Sequence, residues 1–274
     1  MSTSALLKRM RFTNVVSALG LALAVAMGIA GITAHAQGKK ESASGANDAQ
    51  ILQDLKEKLS SKRFGGVKPD VNRGVVTLSG SVDLYSSKAD ADNRAHHVKN
   101  VLAVRNMIEV ASSSELTDVQ LRDKLAEKLS YDRVGYGTTA FNSFTIGVQD
   151  GVVTLGGVAY GPMDRDSAVS LVSNYPGVKD VVDNIEVAPL SPNDDRIRMA
   201  VARAVYGFPS LNKYSIDPAK PIRIVVVNGN VTLAGVVDTQ ADKDTAGVRA
   251  NGVAGVFKVT NELQVAGAAS PEQR

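Results

Sequence analysis

Apolar residues recur at a spacing of four in three separate stretches: Ile51, Leu55, Leu59; Leu121, Leu125, Leu129; and Ile197, Val201, Val205. That spacing lines each triplet along one stripe and predicts an amphipathic helix. Asp48, Asp118 and Asp194 stand three residues ahead of the stripes, where a carboxylate can cap a helix or favour its positive end. The period then changes from helical to alternating. First strands are predicted near Val67–Asn72, Phe144–Gln149 and Ile222–Val227, followed by tight turns at "NRG", "QDG" and "NGN". In the strand after the first turn, Val76, Leu78, Gly80 and Val82 share one face, and Thr77, Ser79 and Ser81 share the other. Second helices follow with Ala91, Ala95 and Val98, then Ala168, Val172 and Tyr175, then Ala246, Ala250 and Val253. "NVLAV", "PGVKDV" and "AGVFKV" turn the chain into a last strand.

The pattern is one unit written three times. The phrases "GVVTLSGSV", "GVVTLGGVA" and "GNVTLAGVV" place Gly80, Gly157 and Gly235 at intervals of 77 and 78 residues. From each glycine, 30 residues lead without a gap to Val110, Val187 and Val265. The expected class is α+β: three tandem α-β-β-α-β domains, each a three-stranded mixed sheet with two helices on one face. The divisions are 48–112, 116–188 and 192–267, preceded by a signal peptide (1–36) and linker (37–47) and followed by a disordered tail (268–274). Gly80, Gly157 and Gly235 read as structural. They sit on the helix-facing side, where a side chain would push the helix away, with the alanine eleven residues later as the contact. A β-bulge is the other reading.

The "V-T-L-x-G-x-V" strand, the alanine-bearing helix and the closing "G-V-x-x-V-x-N-x-[IL]-x-V" resemble the BON domain of bacterial osmotically inducible and nodulation proteins. The resemblance covers nearly all of the chain after residue 37. The first copy departs from it, with "NVLAV" in place of the glycine before the closing strand. The resemblance implies an exported envelope protein that binds phospholipid surfaces or client proteins, often in envelope stress, and it brings no catalytic residues.

Charge and reactive groups narrow the function. Lys8, Arg9 and Arg11, an apolar stretch from Val15 to Ile32, and Ala34-His35-Ala36 form an export signal with cleavage after Ala36. The expected location is therefore the periplasm; the alternative is an inner-membrane anchor formed by the uncleaved helix. Those three basic residues account for the formal charge of +3, so the basic balance is no nucleic-acid footprint. The middle unit, 113–189, is acidic, with 6 basic against 11 acidic side chains. With no cysteine, thiolate chemistry and disulfides are excluded. His96 and His97 are adjacent on a helix and diverge by about 100°, a poor chelating geometry. "DRDSA" (164–168) and "DKDTA" (242–246) read as helix starts. No enzyme, cofactor, metal or nucleic-acid role is expected.

The units differ most between the first helix and the first strand. The longer segments of units 2 and 3 hold Tyr131, Tyr136, Phe141, Phe144, Tyr206, Phe208 and Tyr214. These rings either cap small cores or face lipid headgroups or unfolded clients. Tyr136, Phe141, Phe208 and Tyr214 are the candidate lipid or client contacts. The alternative function is an adaptor or scaffold that docks folded partners on the polar sheet faces and the acidic middle unit.

Overall fold

A computed structural model describes residues 47–111, 116–218 and 220–267. The expected export signal, most of the linker and the C-terminal tail lie outside the described residues. Unit 1 comprises α1 (47–58), β1 (Val67–Asn72), β2 (Val75–Val82), α2 (Tyr85–His96), β3 (Ala103–Asn106) and β4 (Glu109–Val110). Unit 2 comprises α3 (Asp118–Tyr131), β5 (Ser143–Gln149), β6 (Val152–Ala159), α4 (Pro162–Ser173), β7 (Asp180–Asp183) and β8 (Glu186–Val187). Unit 3 comprises α5 (Pro192–Tyr206), β9 (Arg223–Val227), β10 (Asn230–Ala234), β11 (Val236–Val237), α6 (Gln240–Asn251), β12 (Lys258–Asn261) and β13 (Gln264–Val265).

In every unit the second strand is central. It pairs antiparallel with the first and parallel with the last, and the register repeats: Val76↔Val104, Val153↔Val181 and Val231↔Val259. The closing strand is interrupted, which the sequence does not announce. Asn106, Asp183 and Asn261 each accept, through a side-chain oxygen, the backbone N–H two residues on, at 3.1, 3.0 and 3.3 Å. The backbone turns there, and Ile108, Ile185 and Leu263 drop into the core. The helix stripes and the inner strand face meet in one core per unit. In unit 1, Ile51, Leu55 and Leu59 pack with Val76, Leu78, Val82, Ala91 and Ala95. Units 2 and 3 repeat the arrangement.

Two repeated residues do more than their sequence positions suggest. Asp48, Asp118 and Asp194 reach across to the hairpin turn as well as lying at the positive end of a helix. Asp48 accepts the N–H groups of Arg73 (2.7 Å) and Gly74 (2.8 Å). Asp118 accepts those of Asp150 and Gly151, and Asp194 those of Asn228 and Gly229. Both central turn residues have positive φ in each unit, as in Asp150 (54°) and Gly151 (79°). This is the twist-matched hairpin turn, and its amides are aimed at a helix start. Capping itself falls to Thr117 and Ser191, which accept N–H groups of α3 and α5.

The strand glycines are structural for a reason other than helix contact. Gly80, Gly157 and Gly235 have φ of 98°, 88° and 119°. A Cβ on them would lie 2.0 Å from Gly66 O, 2.0 Å from Ser143 O and 2.7 Å from Pro221 O. The obstacle is the backbone of the neighbouring first strand or its approach, so the tight packing lies between strands and not against the second helix. Positive φ and backbone contact together leave no room for an L side chain. Gly157→Ala is expected to destabilise the chain by about 1–3 kcal/mol, measured by thermal or urea unfolding; an unchanged midpoint would refute this account of the glycine.

Candidate binding surface

The segments between the first helix and the first strand are built differently in each unit. In unit 1 the short segment folds its one ring inward: Phe64 is buried, with the Arg63 and Arg94 guanidiniums 4.7 and 5.1 Å from its centroid. Units 2 and 3 carry longer inserts with short 3₁₀ turns at Val134–Tyr136, Thr139–Phe141 and Asn212–Ser215. Each is moored by a carboxylate buried in the first turn of the following helix.

In unit 2 the mooring is Asp164, which is 3% exposed. Its Oδ1 accepts Thr138 Oγ1 at 2.6 Å and Asn142 Nδ2 at 3.1 Å, and Arg133 Nε lies 2.9 Å away. Asn142 also accepts the Tyr160 N–H. In unit 3 it is Asp242, whose Oδ2 accepts the Tyr214 hydroxyl (2.8 Å) and pairs with Lys213 Nζ (3.1 Å). The Tyr214 oxygen in turn accepts the Asp238 N–H at 2.7 Å. Burial opposes ionisation of Asp242, but the hydrogen bonds from Tyr214, Lys213 and Thr239 outweigh it and hold its pKa below the ordinary carboxylate value. Lys213 is pushed up by its hydrogen bonds to Asp238 and Asp242. The counterpart in unit 1 is a buried serine, Ser87, four residues before Ala91 as Asp164 is before Ala168. "DRDSA" and "DKDTA" are helix starts, but their first aspartates face inward to receive the inserts. The signal was present: a carboxylate in both units with a long insert and none in the unit without one.

The four candidate aromatics occupy different environments. Tyr214 is 5% exposed and belongs to the core of unit 3. Phe208 is half-buried against the same core beneath the Arg249 guanidinium, 5.3 Å away. Phe141 of unit 2 packs on the core of unit 3, its ring centroid 5.8 Å from that of Tyr160. Tyr136 is 73% exposed, with Arg133 stacked 4.2 Å from its centroid. The structure does not gather the four into one patch. It does bring the two inserts together. Val134, Thr139 and Ala140 of unit 2 face Tyr206, Pro218 and Pro221 of unit 3 across an open groove. Beside it lies a second hollow that shares Tyr214, Asp217 and Pro221 and adds Lys213, Lys220 and Val236. Tyr136 and Ile216, the latter 75% exposed, neighbour lining residues Gly137 and Ser215 in the chain without lining the groove themselves. Ile216 and the prolines carry neither an aromatic ring nor a repeating period, so nothing in the sequence marks them.

The two histidines turn their Nδ1 atoms to the backbone carbonyls of Asp92 and Asn93 in their own helix, at 3.0 and 2.7 Å. Among the described residues, no group of three His, Cys, Asp or Glu side chains could hold a metal ion, and no helix is long and apolar enough to cross a membrane.

The BON-domain model matches residues 47–112, 117–189 and 193–267. The chain belongs to the BON-domain family. BON domains are associated with phospholipid binding and the cell envelope, and the family is non-catalytic. The chain is also 25% identical, over 143 residues, to a protein named for the gshII 5′ region of Anaplasma centrale, covering 52% of this chain and 95% of that one. Among solved structures it is similar to the C-terminal domain of CdsD, a structural protein of the type III secretion system of Chlamydia trachomatis. That similarity covers 78% of this chain and 96% of the other at 14% identity, with a TM-score of 0.22.

The moorings generate a pH dependence. Because the folded-state pKa of Asp242 is depressed, its contribution is complete above its unfolded value of about 3.9 and is lost as pH falls through the folded value. Asp242→Asn is expected to weaken unit 3 at neutral pH by about 1–3 kcal/mol and to reduce the difference from wild type as pH falls from 5 to 2. Unfolding curves across that range check it; a difference that grows toward low pH would contradict the mooring.

Proposed function

We propose that the chain is an exported, non-enzymatic envelope protein that binds phospholipid surface through the paired inserts of units 2 and 3, in a role linked to envelope or osmotic stress. The observation that carries this reading is a groove walled by both inserts, with Val134 in its lining, exposed Tyr136 and Ile216 one to two residues along the chain from lining residues, and Lys213 and Lys220 in the hollow beside it. Apolar tips next to cationic side chains suit the boundary between acyl chains and phosphate headgroups. The family's association with phospholipid supports the ligand class, and the basic, apolar start of the sequence supports export. Lys213 is already paired with Asp238 and Asp242, so the apolar tips supply most of the affinity and charge a smaller, salt-sensitive share.

Flotation with vesicles of phosphatidylglycerol and phosphatidylethanolamine tests the proposal. Tyr136→Ser combined with Ile216→Ser is expected to lower partitioning about tenfold or more, given roughly 1.5–3 kcal/mol per buried apolar side chain, while circular dichroism stays native. Replacing Lys56, Lys58 and Lys62 of unit 1 by Ala is expected to leave binding nearly unchanged. If the lysine variant alone loses binding, adhesion is electrostatic and lies on unit 1.

A further inference from the structure

We infer that Arg223 and Arg198 lock units 2 and 3 into one rigid module, and that the groove exists only while this joint is closed. What the groove binds rests on the proposed function; what closes it does not. Arg223 leaves the first residue of β9 and donates from one guanidinium nitrogen to two carbonyls of unit 2, Thr139 O at 2.8 Å and Asn142 O at 3.0 Å. Those carbonyls bracket the Thr139–Phe141 turn, which supplies Thr139 and Ala140 to the groove wall. One side chain of unit 3 thus holds the wall that unit 2 contributes. Arg198, on α5, adds a second contact to unit 2. It is buried, donates to Val226 O at 2.9 Å and pairs with Asp195, and its guanidinium lies 4.7 Å from the Tyr160 centroid and 5.9 Å from that of Phe141. Burial and the nearby Asp195 carboxylate raise the pKa of the Tyr160 hydroxyl.

A guanidinium fixed by carbonyls, a carboxylate and ring faces has directional requirements that few relative orientations satisfy. The arginine of β9 is also specific to this joint. In the equivalent pairing, Arg223↔Ala234 corresponds to Thr145↔Gly156 and Lys68↔Ser79, so neither other unit has an arginine there. The joint between units 1 and 2 is lighter: Tyr85 packs on the core of unit 2, where burial and the nearby Asp180 carboxylate raise its pKa. Arg223 is therefore a positioning residue for the binding face.

The cysteine-free full chain allows a direct test with spin labels on Gly135→Cys and Ile216→Cys, at exposed positions on the two inserts. Double electron–electron resonance is expected to give one narrow distance distribution, which Arg223→Ala broadens and Arg223→Lys broadens less. The unlabelled Arg223→Ala chain is expected to lose flotation with native circular dichroism. A narrow distribution retained in Arg223→Ala overturns the inference. Should that variant unfold, Phe141→Ala perturbs the joint from the other side, and an unchanged distribution there overturns it equally. A wild-type chain that fails to float defeats the proposed ligand but leaves the distance result to decide the joint.

Discussion

A carboxylate buried in the first turn of the second helix fixes what is distinctive about this chain. Without a partner, a buried carboxylate costs several kcal/mol or takes up a proton. Asp164 and Asp242 avoid this by taking side chains from the insert that precedes their sheet: Thr138, Asn142 and Arg133 in one unit, Tyr214 and Lys213 in the other. The segments of the three units that depart most from one another are thereby tied to the part that is common to all. Once tied, their tips have defined positions, and exposed apolar groups such as Tyr136 and Ile216 can form a surface at low entropic cost.

The shared framework uses the same device at a second place. Asp48, Asp118 and Asp194 each accept two amides of a hairpin turn, linking the helix at the start of the unit to the first two strands. The second helix is joined to the closing strand by Asn106 and Asn261, which donate to the carbonyls of Lys88 and Lys243. In unit 2 the equivalent residue is Asp183, which cannot donate, and Arg165 meets it instead at 2.6 Å. The geometry persists while the chemistry is exchanged.

These particulars mark what the sequence could disclose. The stripes at Ile51, Leu121 and Ile197 and the alternation from Val76 to Val82 depend on local period, so the elements, their order and the strand pairing were legible. Alternation alone sets the strand glycines against the second helix; φ of 88° at Gly157 and the Ser143 carbonyl beside it depend on how two strands approach, which no local period carries. Tyr214 and Phe141 looked like surface candidates because a ring in an irregular segment carries no period. Their burial depends on Asp242 and on the neighbouring unit, both distant in sequence. Ile216 is a lone apolar residue in an irregular segment, and its exposure depends on the fold of the insert.

The proposed binding face lies on the inserts of units 2 and 3 and not on the repeated framework. Hydrogen–deuterium exchange of the full chain, with and without phosphatidylglycerol vesicles, tests it residue by residue. Protection on vesicle binding should concentrate in 131–141 and 206–221, with little change in the corresponding short segment of unit 1 at 60–66. Protection confined to the helices of unit 1, or spread equally over the three units, would contradict it.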